Sequence, residues 1–214
     1  MAYRIAINGF GRIGRSILRA LYESTDYPSL QIVAINDLAN IETLAHLTRY
    51  DSTHGRFLGT VEVEKASGDL LVSGDRIAVS QISDLSALPW QGLAVDLVME
   101  CSGAFKDRAQ AECHLQAGAR RVLFSQPAES DVDATLVYGI NHELLSAAAS
   151  IVSNASCTTN CIVPVLRALD QSFGVLSGVI TTIHSAMNDQ PVIDSYHDSD
   201  LRKTRSAMQS IIPV

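Results

Sequence analysis

Tyr3-Arg4-Ile5-Ala6-Ile7-Asn8-Gly9-Phe10-Gly11-Arg12-Ile13-Gly14 is the stretch that decides the fold of this chain. Its first half is β-rich, and its second half holds a Gly-x-Gly-x-x-Gly spacing. Alone, that spacing is a weak signal. Here it follows a strand at once and opens a helical run over residues 11–22, with Ile13, Ile17, Leu18 and Leu21 on one side. In that setting each glycine has a reason. Gly9 allows a tight turn, Gly11 lets a pyrophosphate approach the backbone, and Gly14 lets helix and strand pack closely. The N–H groups of Arg12 and Ile13 would face the pyrophosphate from the helix start. A second strand, residues 31–36, runs into Asp37, which lies 23 residues after Gly14. That is close to the spacing of a carboxylate that holds an adenosine ribose. A carboxylate there repels a 2′-phosphate, so the pattern favours NAD over NADP.

Working outward, residues 41–49 read as a helix, and 61–64, 70–72 and 77–79 as short strands joined by turns. Residues 95–101 read as an apolar strand entering Ser102-Gly103. A helix over 107–117 stops at Gly118, and further strands fall at 122–125, 135–138 and 149–153. Strands alternating with helices imply a parallel sheet with right-handed crossovers. The expected fold is α/β: a Rossmann-type doubly wound parallel sheet over residues 1–155, followed by the start of an α+β catalytic domain over 156–214. Residues 178–185 read as the first strand of that second domain. It is expected to be truncated, because too few residues follow Ser156 for a domain of typical size. Open α/β sheets place ligands beyond the carboxyl ends of their strands, which makes Ser102 a cofactor candidate. Ser125, closing the strand at 122–125, is another.

Bulk properties narrow the class. The 214 residues are 47% apolar and 18% charged, with a net charge of −7. That balance argues against a nucleic-acid partner, since phosphate binding needs concentrated Lys and Arg. No apolar run approaches the roughly 20 residues that span a bilayer, so no membrane partner is expected. The opening residues lack the features of a signal peptide, so the expected location is the cytoplasm. The four cysteines do not resemble a disulfide framework in a chain this long. Cys101 and Cys113 read as buried structural thiols.

Ser153-Asn154-Ala155-Ser156-Cys157-Thr158-Thr159-Asn160-Cys161 carries the chemistry. Cys157 stands after a short strand and before a helical run over 162–173, and Ser156 has the right chemistry to cap that helix. A sulfur in the first helical turn faces unpaired backbone N–H groups and the positive end of the helix dipole. Both favour thiolate, which is the nucleophile. Cys161, four residues on, reads as a buried neighbour. No metal is expected, because no further ligands sit at coordinating spacing. A reactive thiol needs a base in reach. Of six histidines, His46, His114 and His142 read as surface or packing residues, and His54 lies in a turn-rich loop. His184 ends a β-branched run, a suitable place for a base. A nicotinamide site plus an activated cysteine points to oxidation of an aldehyde through a thioester.

These stretches, together with Thr181-Thr182-Ile183-His184 and Ser210-Ile211-Ile212-Pro213, resemble the glyceraldehyde-3-phosphate dehydrogenase family in order along the whole chain. The resemblance implies that Cys157 is the nucleophile and His184 its base, and that Ser156 and Thr158 flank the substrate. It implies an oxyanion hole that includes the Cys157 N–H, a substrate anion met at Arg202-Lys203, a small phosphorylated aldose as substrate, and a homotetramer. Met187 stands where the family's triose phosphate enzymes usually carry a threonine that helps hold phosphate. Met offers no such donor, which points to a branch acting on a four-carbon sugar phosphate. Lys203 stands where the family more often has arginine. The alternatives are triose phosphate oxidation with inorganic phosphate cleaving the thioester, a semialdehyde dehydrogenase, and an NAD-binding module without catalysis.

Overall fold

The structure is a computed structural model that describes residues 2–187, 190–198 and 200–212. It divides into two compact units, one ending at Gly174 and the other starting at Val175.

The first unit opens with β1 (Tyr3–Asn8), α1 (Arg12–Glu23), β2 (Leu30–Asn36) and α2 (Ile41–Arg49). A small antiparallel pair follows, β3 (Tyr50–Asp51) with β4 (Gly55–Arg56). Then β5 (Val61–Glu64), β6 (Asp69–Val72) and β7 (Asp75–Ser80) form an antiparallel meander whose last strand pairs parallel with β2. The remaining elements are β8 (Leu97–Glu100), α3 (Arg108–Gln116), β9 (Arg121–Phe124), β10 (Ala134–Thr135), β11 (Ile151–Ser153) and α4 (Cys157–Phe173).

Nine of these strands make one sheet in the order β10-β11-β9-β8-β1-β2-β7-β6-β5. Every pairing from β10 across to β7 is parallel. The path β7-β2-β1-β8-β9-β11 is the doubly wound order, and its direction reverses between β1 and β8. The expected Rossmann-type sheet is thus present. Its register aligns the last residues of seven strands in one rung: Ser80, Asn36, Asn8, Glu100, Phe124, Ser153 and Thr135.

Side chains alternate across the sheet and fill a core on each face. On one face Ile5, Ile7, Ile32 and Ile35 pack against Leu18 of α1 and Leu44 of α2. On the other, Ala6, Ala34 and Val98 pack around Trp90, while Val122, Phe124 and Ile151 meet Ala111 of α3.

Several expectations need correction. The strand around 95–101 is not purely apolar, because Glu100 is fully buried within it. The strand expected at 135–138 is only Ala134–Thr135, and Tyr138 is exposed. Helix α4 starts at Cys157, before the apolar run, because Ser156 caps it there and Pro164 is accommodated inside it. Residues 178–185 form no strand. Val179 and Ile183 are 95% and 83% exposed, and β-branched propensity alone makes no ladder without a neighbouring strand.

The second unit is organised around Leu201–Thr204, a single 3₁₀ turn capped by Asp200. The Ser206 N–H donates to Asp194, and the Ser195 N–H donates to the Thr204 carbonyl. Among the described residues no helix is long and apolar enough to cross a membrane.

Asp133 ties α3 to the start of β11. Its carboxylate accepts from the N–H groups of Ser150 (2.7 Å) and Ile151 (2.9 Å) and pairs with the Arg108 guanidinium. The Ile151 N–H first, then Arg108 and the Ser150 N–H, hold this carboxyl far below the usual range. A carboxyl with a depressed folded-state value stabilises fully above its unfolded value, about 3.9, and the contribution fades as pH falls toward the folded value. Asp133→Asn should therefore cost about 1–2 kcal/mol near neutral pH. Denaturant unfolding at a series of pH values should show the gap to the native chain constant above pH ~5 and narrowing in acid.

Candidate active site

Because the central strands are parallel, the loops after β1, β2 and β8 leave the sheet at one edge. They enclose a cleft of about 460 Å³ lined by Gly9, Gly11, Asp37, Ser102 and Cys101, with Asn8, Asn36, Ile82 and Phe105. The structure thus brings four of the sequence-predicted cofactor residues together at the point where strand order reverses.

Local geometry explains the glycines. Gly9 has φ +85°, and a Cβ on it would lie 2.4 Å from the backbone N and Cα of Ser102. Only glycine lets the two loops approach so closely. A Cβ on Gly14 would meet the Gly9 carbonyl at 2.4 Å, so helix α1 could not seat against the turn. Around Gly11 there is nothing within 4 Å of a Cβ position, and no side chain caps α1 there. That open helix start is where a pyrophosphate fits. Asp37 accepts from the Phe10 N–H at 2.6 Å and from the Ala39 N–H at 2.9 Å. Its carboxylate is thereby fixed at the cleft wall. The residues present therefore suit a dinucleotide.

Arg12 and Ile13 begin α1 beside this cleft. The Arg12 side chain turns to Asp51, 2.5 Å away. Asp51 is held down to about 2, chiefly by the His54 N–H, with Thr53 and Arg12 adding to it. Ser125 follows β9 on the same edge. Its N–H donates to the Glu100 carbonyl at 3.0 Å and its hydroxyl to Gln126. Cys101 is the least reactive type of thiol, since burial pushes it up to about 12.

The cysteine segment follows β11, also on that edge. Ala155 takes φ +57°, an unfavourable value for a residue with a Cβ. The turn is held from several sides. The Asn154 N–H donates to the Phe124 carbonyl, and the Ala155 N–H to the Ser153 hydroxyl. The Asn160 amide donates to the carbonyls of Asn154 (2.7 Å) and Ser156 (2.9 Å). Ser156 caps α4 by accepting from the Thr159 N–H at 2.9 Å. Cys157 is thus the first residue of a long helix and is exposed, with Thr158 next to it. Cys161 is exposed too, which corrects the expectation of a buried neighbour: α4 buries none of its residues.

In the second unit His184 is exposed, and its Nδ1 lies 2.8 Å from the Ser185 carbonyl. A carbonyl only accepts, so Nδ1 carries the proton and the lone pair of the neutral ring is on Nε2. Arg202 is forked onto Asp200, with Nε and Nη2 at 2.9 Å and 2.8 Å. That pairing holds Asp200 down to about 2. An anion at Arg202 would have to compete with this carboxylate. Lys203 follows on the same turn, its N–H donating to the Asp200 carbonyl.

Sequence reasoning missed the polar ends of the central strands, Asn8, Asn36 and Glu100. A polar residue closing an otherwise apolar strand was the available signal. The fold and cleft define a dinucleotide-binding protein of the Rossmann type. Residues 3–108 match the NAD binding domain of glyceraldehyde 3-phosphate dehydrogenase, and residues 156–214 match its C-terminal domain. The chain belongs to the glyceraldehyde-3-phosphate dehydrogenase family, and both of its domains are those of an NAD-dependent oxidoreductase.

Two substitutions separate fold from cofactor binding. Gly11→Ala should cost no more than about 1 kcal/mol of stability yet weaken NAD binding, since its methyl enters the space beside the helix start. Gly9→Ala should lower both, by roughly 1–3 kcal/mol in stability, because the backbone is strained and the Ser102 loop must move. Thermal melting and NAD titration of the two variants check this.

Proposed function

We propose that this chain is an erythrose-4-phosphate dehydrogenase, which oxidises D-erythrose 4-phosphate to 4-phosphoerythronate on the way to pyridoxal 5′-phosphate. The observation that carries the reading is an exposed thiol at the first position of α4, behind a strained turn and beside a capped helix start. Cys157 is the nucleophile and His184 the base. The thiolate attacks the aldehyde carbon, a C–S bond forms, and the carbonyl oxygen becomes an oxyanion. The Cys157 N–H helps to stabilise that charge, and one such donor is worth about 3 kcal/mol. NAD held in the cleft would supply the acceptor for the hydride on that carbon, and loss of the hydride leaves a thioester on Cys157. Water then adds to the thioester carbon, giving a proton to His184, the C–S bond breaks, and the acid leaves with the thiolate restored.

Gly9, Gly11, Arg12, Ile13, Gly14, Asp37, Ser102 and Ser125 form the proposed cofactor set. Ser156 and Thr158 flank the substrate. Arg202 and Lys203 are the proposed contacts for its phosphate, with Arg202 exchanging its Asp200 partner for that anion. The domain boundary is proposed at residues 155 and 156, which the start of the second family match supports. Met187 in place of a threonine favours the tetrose over the triose. The competing reading is glyceraldehyde-3-phosphate oxidation with inorganic phosphate as acyl acceptor.

Cys157→Ser should abolish the acyl-enzyme, detected by intact mass after incubation with NAD and aldehyde; an adduct persisting in that variant would overturn the assignment. His184→Asn should slow turnover by about 10²–10⁴. Turnover on both aldehydes, with and without phosphate, separates the two substrates. Faster, phosphate-independent oxidation of erythrose 4-phosphate is expected.

A further inference from the structure

Glu100 is fully buried at the end of β8, and four donors converge on it. Oε1 accepts from the Ser102 N–H at 2.8 Å and from the Ser102 hydroxyl at 2.5 Å. Oε2 accepts from the Asn8 amide at 2.6 Å and meets His114 Nε2 at 3.1 Å. A buried carboxylate is costly unless it is fully satisfied, and this one is. The donor on the His114 side is fixed by its neighbour. Trp90 Nε1–H can only donate, and it lies 3.0 Å from His114 Nδ1, so Nδ1 accepts and the proton sits on Nε2.

The network runs on to the cleft. Asn8 accepts from the Asn36 amide at 2.8 Å, and Asn36 accepts from the Ser80 hydroxyl and the Ile82 N–H, both at 2.9 Å. Asn8, Asn36, Ile82 and Ser102 all line the cleft, whereas Glu100 and His114 do not. The Ser102 hydroxyl in turn accepts from the Ala104 N–H at 3.2 Å, which shapes the turn that Gly9 abuts.

We propose that Glu100, oriented by His114, is a positioning residue for NAD: it ties Ser102 to Asn8 and so fixes both walls of the cofactor cleft. This rests on the reading of that cleft as the NAD site. A glutamine at this position cannot replace the carboxylate. Its NH₂ must face either the Ser102 N–H, releasing the turn, or His114 Nε2. Facing His114 would force the imidazole proton onto Nδ1, against the Trp90 N–H.

The test is NAD titration of the full chain at a temperature where each variant is folded, with emission of Trp90, the one tryptophan, as a second signal. Glu100→Gln should weaken NAD binding about tenfold, as expected for losing a charged buried hydrogen bond. Asp133→Asn, which lowers stability away from the cleft, should leave NAD affinity unchanged. His114→Gln keeps a donor toward Glu100 and an acceptor toward Trp90, so it should retain native affinity and emission. His114→Leu should lose affinity and shift the emission.

Native NAD affinity in Glu100→Gln would overturn the proposal. If that variant does not fold, equal affinity of His114→Leu and the native chain overturns it instead. Asp37→Asn is titrated alongside. Unchanged affinity there overturns the cleft assignment and this proposal with it. A weakened Asp37→Asn beside an unaffected Glu100→Gln overturns only the role of Glu100.

Discussion

Seven parallel strands end on one rung, Ser80, Asn36, Asn8, Glu100, Phe124, Ser153 and Thr135, and the candidate chemistry of the first unit is built on what comes next in the chain. Asp37 follows Asn36, Gly9 follows Asn8, Cys101 and Ser102 follow Glu100, Ser125 follows Phe124, and the Asn154–Cys157 turn follows Ser153. Parallel pairing forces all these exits to one edge. Because side chains alternate, a slip of one residue in any of these strands would turn its apolar set away from the core. The register is therefore fixed by burial, and the site inherits its geometry from the core.

The edge also concentrates cost. Gly9 and Ala155 both take positive φ, and Glu100 is a carboxylate with no access to water. Each is tolerated because neighbouring groups over-determine it. Gly9 has no Cβ to clash with Ser102, Ala155 is gripped by the hydrogen bonds of Asn154, Ser153 and Asn160, and Glu100 meets four donors. Unfavourable local choices of this kind gather at functional sites, where pre-organisation is the return.

The features legible in the sequence are those that depend on neighbours along the chain. The glycine fingerprint, Asp37, the Ser156 cap and the placement of Cys157 at a helix start need only a strand, a turn and a helix in succession. The Glu100–His114–Trp90 contacts join residues 90, 100 and 114 from separate elements, so no local pattern announces them. His114 read as a packing residue, which it is, but its two ring nitrogens also connect Trp90 to Glu100. The run at 178–185 misled for the opposite reason. Its β-branched residues have strand propensity, and nothing pairs with them among the described residues.

The most direct test of the helix-start thiol compares two cysteines of one helix. Cys157 and Cys161 are both exposed and stand one turn apart, so accessibility does not separate them. The influence of a helix start fades within the first turn. Alkylation of the native chain with limiting iodoacetamide at neutral pH, mapped by peptide mass spectrometry, should modify Cys157 severalfold faster than Cys161. Equal rates, or faster modification of Cys161, would contradict an activated nucleophile at Cys157.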